Sequence, residues 1–137
     1  TDVLVSDMGH GLPFRDDIFD GAVSVSAIQW LCYEAKHHEK SPRTRLRSFF
    51  KTLRRQLRPG ARAVLQFYPE VMEDATAIRD AALYCGFTGG VVVDYPGDLN
   101  SKKYYLVVES MPRGIGGTHG GNGAGKKRSA ASTTAKR

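Results

Sequence analysis

The sequence predicts an α/β fold: a largely parallel sheet covered by helices on both faces, with its last two strands antiparallel. Short apolar runs alternate with two helical stretches, and the final two runs are separated by turn residues without a helix between them. The 137 residues, 41% hydrophobic and 25% charged, suffice for one small globular domain, and no apolar run approaches the length a bilayer requires.

Residues 2–6 (DVLVS) read as a first strand ending at Asp7, and residues 19–26 (FDGAVSVS) as a second, with Val23 and Val25 on one face. Residues 42–58 form the clearest helix. Leu46, Phe49, Phe50, Leu53 and Leu57 recur at helical spacing, Ser41 suits the N-cap, Pro42 the first helical position, and Pro59-Gly60 a stop. Residues 61–68 read as a strand interrupted by Pro69. A second helix over 72–85 turns Ala75, Ile78, Ala82 and Leu83 inward and ends at Gly86. Residues 91–94 and 104–109 are the last two strands.

Composition changes after Ser110. Of the 20 basic residues, Arg113, Lys126, Lys127, Arg128, Lys136 and Arg137 lie beyond it with no acid among them; before it, bases and acids balance. The division is therefore a domain at 1–110 and a Gly/Ser/Ala-rich basic tail at 111–137. Such a tail cannot bury enough apolar surface to offset its ordering entropy and is expected to be disordered. Lys126-Lys127-Arg128 could act in nuclear targeting or RNA contact. Cys32 and Cys85 form no disulfide framework, and His37 and His38 near Cys32 lack metal-cage spacing, so no metal site is expected. Reduced thiols in an intracellular compartment are the plain inference. Arg43, Arg45, Arg47, Lys51, Arg54, Arg55 and Arg58 share the first helix, either as a solvated face or as a phosphate-contacting strip.

Open α/β sheets bind ligands beyond the carboxyl ends of their strands. Here those ends are Asp7-Met8-Gly9, residues 26–30, Tyr68-Pro69-Glu70 and Asp94-Tyr95-Pro96. Taken singly, a carboxylate there is more often a turn-former and a Trp more often core. The set is more specific. D-M-G-H-G-L-P-F at 7–14, F-D-G at 19–21, S-A-I-Q-W-L at 26–31, Q-F-Y-P-E at 66–70 and V-V-V-D-Y-P at 91–96 resemble the eukaryotic small-subunit (18S) ribosomal RNA guanine-N(7) methyltransferases. These belong to the class I S-adenosylmethionine-dependent superfamily, and the resemblance covers nearly all of residues 1–110.

The resemblance implies a Rossmann-like sheet and S-adenosyl-L-methionine as cofactor. It implies that Asp7 accepts from the adenine amino group, that the Met8 backbone N–H donates to the adenine ring, and that Ser26, Ala27 and Ile28 pass beneath the sulfonium. Trp30, Tyr68 and Tyr95 become the candidate catalytic aromatics against the target purine. Ribosomal RNA is the implied substrate, and a small zinc-binding activator protein the implied partner, adding along the edge of strand 2–6. Action in the nucleus and cytoplasm, in ribosome biogenesis, follows from the same source. The family's first strands, Gly-rich loop and ribose-binding acid would precede Thr1, so the chain is expected to be a C-terminal part of the domain, inactive and poorly stable alone. The competing reading is a non-catalytic RNA- or partner-binding ribosome assembly factor; a small-molecule methyltransferase is a third option.

Overall fold

A computed structural model of the chain describes residues 1–34 and 39–112. Four strands and two α-helices follow in the order β1 (Phe19–Val25), α1 (Pro42–Gln56), β2 (Leu57–Phe67), α2 (Met72–Tyr84), β3 (Phe87–Asp94) and β4 (Lys103–Ser110). Short 3-10 turns at Met8–His10, Ile28–Cys32 and Leu99–Ser101 join them. The sheet order is β1-β2-β4-β3. β1 and β2 are parallel, whereas β4 runs antiparallel to both β2 and β3. The closing antiparallel pair is thus as expected, but the sheet is mixed rather than largely parallel.

α1 forms where the sequence places it. The Ser41 hydroxyl accepts from the Thr44 amide at 3.3 Å and Pro42 fills the first helical position. Leu46, Phe49, Phe50 and Leu53 are buried along one stripe. The helix ends earlier than Pro59 because Leu57 already pairs with Phe19 of β1. Pro59-Gly60 becomes a bulge inside β2, with Gly60 at φ 79 and the register shifting between Phe19 and Gly21. In α2, Ala75, Ile78 and Ala82 point inward as expected, but Leu83 is 42% exposed and Ala81 is buried instead. One residue is about 100° of helical rotation, which carries Leu83 off the stripe.

β3 starts before the expected residue 91 because it pairs with β4 along all of Phe87–Asp94. Gly89 makes that closeness possible: a Cβ there would lie 2.1 Å from the Val107 carbonyl oxygen.

Burial alternates along the strands. Ala63, Leu65 and Phe67 of β2 register with Val108, Leu106 and Tyr104 of β4, and all six are buried. Both helices pack on this one face, where Phe50 meets Phe87 edge-on at 6.0 Å between ring centroids. The expectation of cover on both faces is corrected: among the described residues no helix covers the opposite face. Val23, Val64 and Val107 form an apolar row across it, with Val23 79% exposed. The expected strand at 2–6 is also corrected. That segment belongs to no element, and Val3 and Val5 are 89% and 96% exposed. The physical reason is pairing: a strand needs a neighbour for its backbone groups, and this segment pairs with none of the four strands.

Phe50→Ala should cost about 3–5 kcal/mol by cavity formation, whereas Val23→Ser should change stability by less than about 0.5 kcal/mol. Urea denaturation midpoints of the two variants test this; equal losses would mean that the open face is covered after all.

Candidate functional site

β1 and β2 are parallel, so their carboxyl ends share one edge of the sheet. Leaving β1, the chain turns at Ser26, which holds a left-handed φ of 51. That conformation costs a non-glycine residue about 1 kcal/mol or more and persists only where neighbours enforce it. Gln66 of β2 does so. Its backbone carbonyl accepts from the Ser26 amide at 3.0 Å, and its side-chain Oε1 accepts from the same amide at 3.1 Å and from the Ser26 hydroxyl at 2.9 Å.

In the turn that follows, Ile28 and Leu31 are buried and act as anchors, which leaves Trp30 projecting outward, 64% exposed. The Trp30 and Tyr33 rings lie 5.4 Å apart. The Tyr33 hydroxyl pKa is raised, first by desolvation and then by the neighbouring Glu70 carboxylate, with which it shares a hydrogen bond. Glu70 stands two residues beyond exposed Tyr68, so Trp30, Tyr33, Glu70 and Tyr68 gather at the β1–β2 end. Tyr95 follows β3, three strand spacings from β1, or roughly 14 Å. Trp30 and Tyr68 are therefore neighbours in the sheet's edge, while Tyr95 stands at its other side.

Asp7 and Met8 reach the same region from the N-terminal segment. Asp7 Oδ1 caps the first 3-10 turn by accepting from the Gly9 amide at 2.8 Å, and Oδ2 lies 3.8 Å from His10 Nδ1. Gly9 is buried: a Cβ there would sit 3.2 Å from Arg45 and 3.3 Å from Leu31. The Asp7 turn thus packs directly on the turn that carries Trp30.

α1 holds both turns. Arg45, only 4% exposed, donates to the Leu31 carbonyl at 3.1 Å and to that of Tyr33. Thr52 accepts from the Leu12 amide at 2.9 Å, and Gln56 donates to the Leu12 and Phe14 carbonyls. Several bases of this helix, which the sequence left open as a solvated face or a phosphate-contacting strip, have partners within the chain. Arg54 donates to the Gly86 and Met111 carbonyls, Arg55 pairs with Asp16, Arg58 pairs with Asp20, and Arg47 stacks on Tyr84 at 3.6 Å. Most of these guanidiniums serve the fold.

Four buried polar atoms find no partner among the described residues: Gln29 Oε1, Arg45 Nε, Gln56 Oε1 and Gln66 Nε2. All four belong to α1 or to the β1–β2 end. Sequence reasoning passed over Gln29 and Gln66 as functional residues and read Arg45 only as one of the bases of α1. The available signal was an amide lodged in each of two apolar runs, A-I-Q-W-L and V-L-Q-F-Y. A cleft of about 740 Å³ opens elsewhere, between α1 and α2, with Arg43, Arg47, Asp74 and Asp80 among its lining. It lies on the helical side and takes in none of the strand-end aromatics. Among the described residues no cluster of three or more metal-ligating side chains occurs; His37 and His38 lie outside those residues, as does the basic tail from residue 113.

No protein-family model matches the chain. Among curated relatives, a probable 18S rRNA (guanine-N(7))-methyltransferase of Dictyostelium discoideum is 49% identical over 107 residues, 78% of this chain and 37% of that protein. The 18S rRNA (guanine-N(7))-methyltransferase of Mus musculus is 48% identical over 119 residues, 83% of this chain and 42% of that protein. Over that stretch the chain is similar to the 18S rRNA (guanine-N(7))-methyltransferases. It spans about two fifths of these relatives' own length. Among solved structures, a SAM-dependent methyltransferase from Methanosarcina mazei superposes with a TM-score of 0.55 at 12% identity, over 79% of this chain and 66% of that one. The fold is therefore that of the class I, Rossmann-like methyltransferases.

The turn that carries Trp30 also holds Cys32. Burial, then the Asp74 carboxylate, push its thiol up to about 11, against a smaller lowering by Arg45. The raised value means that the neutral thiol prevails well beyond pH 9 and thiolate appears only as pH approaches 11. At pH 8, Cys32 should therefore alkylate with iodoacetamide about 100-fold more slowly than a free cysteine. Timed labelling with peptide mass spectrometry measures this, and a free-cysteine rate would contradict the burial of this turn.

Proposed function

We propose that the protein carrying this chain transfers a methyl group from S-adenosyl-L-methionine to a guanine ring nitrogen of small-subunit ribosomal RNA during ribosome biogenesis. One observation carries the proposal: the strand end where class I sheets take their ligand bears an exposed Trp30 beside Tyr68 and a strained Ser26, in a chain 48–49% identical to relatives named for that reaction. Trp30 at 64% exposure is the informative residue, because a purely structural tryptophan is normally buried.

The residues fit the cofactor. Orphaned Gln29 Oε1 and Gln66 Nε2 flank the edge where a polar ligand would lie. Asp7 has one oxygen committed to Gly9 and another available to accept from an adenine amino group, with the Met8 N–H beside it. Ser26, Ala27 and Ile28 would run beneath the reacting sulfur. When bound, the cofactor supplies an electrophilic methyl group on a sulfonium.

The chain's own contribution is alignment. The N7 nitrogen of guanine carries an in-plane lone pair and no proton, so it needs no general base. Trp30 and Tyr68 would stack the purine so that the nucleophile stands about 3–3.5 Å from the methyl carbon. The ring gains positive charge as it is methylated, and the aromatic faces stabilise that charge. Tyr95, at the far side of the edge, is suited to a flanking part of the substrate.

Ribosomal RNA as substrate places the action in the nucleus and, through the exported subunit, the cytoplasm. A small zinc-binding activator protein adding a strand along residues 2–6 is part of the same proposal. The exposed apolar Val3 and Val5 support it, because a segment outside any element keeps its backbone groups available for pairing.

Trp30→Ala in the full-length protein should lower kcat for methylation of 18S RNA by roughly tenfold or more, with a much smaller change in the cofactor Kd. Labelled-methyl incorporation and calorimetry measure the two; equal losses would show that Trp30 belongs to the cofactor site rather than to the purine shelf.

A further inference from the structure

Building on the proposed methyl-donor site at the β1–β2 end, we propose that Gln66 is a positioning residue that sets the polarity of Ser26. It commits the Ser26 hydroxyl proton inward, so that only oxygen lone pairs face the ligand. The geometry leaves one arrangement. A backbone N–H can only donate, so the Gln66 side-chain atom 3.1 Å from the Ser26 amide is the carbonyl oxygen and not the amino group. That same oxygen lies 2.9 Å from Ser26 Oγ, and an amide oxygen can only accept, so the serine hydroxyl is the donor. A hydroxyl has a single proton. Once it is directed at Gln66, Ser26 Oγ offers acceptor capacity alone.

Ser26 is half-buried, within reach of a ligand, whereas Gln66 is 8% exposed and acts through Ser26. The left-handed φ of 51 is part of the same device, since the amide and the hydroxyl of Ser26 converge on one oxygen. The ligand group that meets Ser26 must then carry a polarised hydrogen or a positive charge. Two sources share that chemistry: the sulfonium end of the methyl donor and an N–H of the target purine.

The test is a double-mutant cycle in the full-length protein with Gln66→Leu, which removes both side-chain bonds, and Ser26→Gly, which accepts φ 51 and removes the hydroxyl. Gln66→Leu keeps the backbone bond from the Ser26 amide to residue 66 but frees the Ser26 hydroxyl, whose proton, followed by NMR, should exchange about tenfold faster; unchanged hydroxyl exchange overturns the proposal. Functional losses of the two variants should be non-additive, since one removes the hydroxyl and the other its orientation; additive losses overturn it. If the lone pairs face the sulfonium, both variants weaken S-adenosylmethionine binding while leaving that of the uncharged S-adenosylhomocysteine unchanged. If they face the purine, both cofactors bind normally and KM for RNA rises. A wild-type protein that binds neither cofactor nor RNA defeats the proposed function, while Ser26 exchange still decides the role of Gln66.

Discussion

The inner side of α1 carries polar groups among its buried apolar ones, and the site depends on what they hold. Arg45 takes the backbone of the turn after β1, while Thr52 and Gln56 take the backbone of the N-terminal segment. Neither segment has a sheet ladder of its own, so their amide and carbonyl groups would otherwise be desolvated without partners, at about 1–3 kcal/mol each. Arg45 itself is a cation at 4% exposure, tolerable only because carbonyl dipoles surround its guanidinium. Through this helix the Asp7 turn and the Trp30 turn are pressed together, and Gly9 is the residue small enough to allow it.

A second consequence concerns the two sheet faces. α1 and α2 share one, and the alternation of burial along β2 and β4 records that asymmetry. Gln66 lies among the residues that point the other way, in register with Val25 and Tyr105. An amide on an otherwise apolar row is costly unless bonded, and its bond goes to Ser26 at the functional edge. Sheet packing and site geometry therefore meet in one side chain.

Much of the architecture was legible beforehand. The stripe of Leu46, Phe49, Phe50 and Leu53, the Ser41 cap and the antiparallel closing strands all arise from local rules of periodicity and capping, which act within a few residues. The misreadings are equally instructive. Val3-Leu4-Val5 has the composition of a strand but pairs with none of the four strands. The strand expected at 91–94 starts at Phe87, because Gly89 allows β3 to approach β4. The arginines of α1 read as a solvated face or a phosphate-contacting strip, yet Arg45 and Arg54 hold backbone carbonyls. In each case the outcome depends on a group distant in the chain.

By itself the sequence determined the order of elements, the apolar stripe of α1 and the likeness to the 18S rRNA (guanine-N(7))-methyltransferases, because these depend on short-range pattern and on specific strings such as S-A-I-Q-W-L and Q-F-Y-P-E. Tertiary structure alone decided that both helices share one face, that Trp30 is exposed while Ile28 and Leu31 are buried, and that Gln66 grips Ser26 across forty residues of chain. The physical reason is that burial and hydrogen-bond partnership belong to pairs of groups. A residue's own chemistry states what it requires, and only the packed chain supplies the partner that answers it.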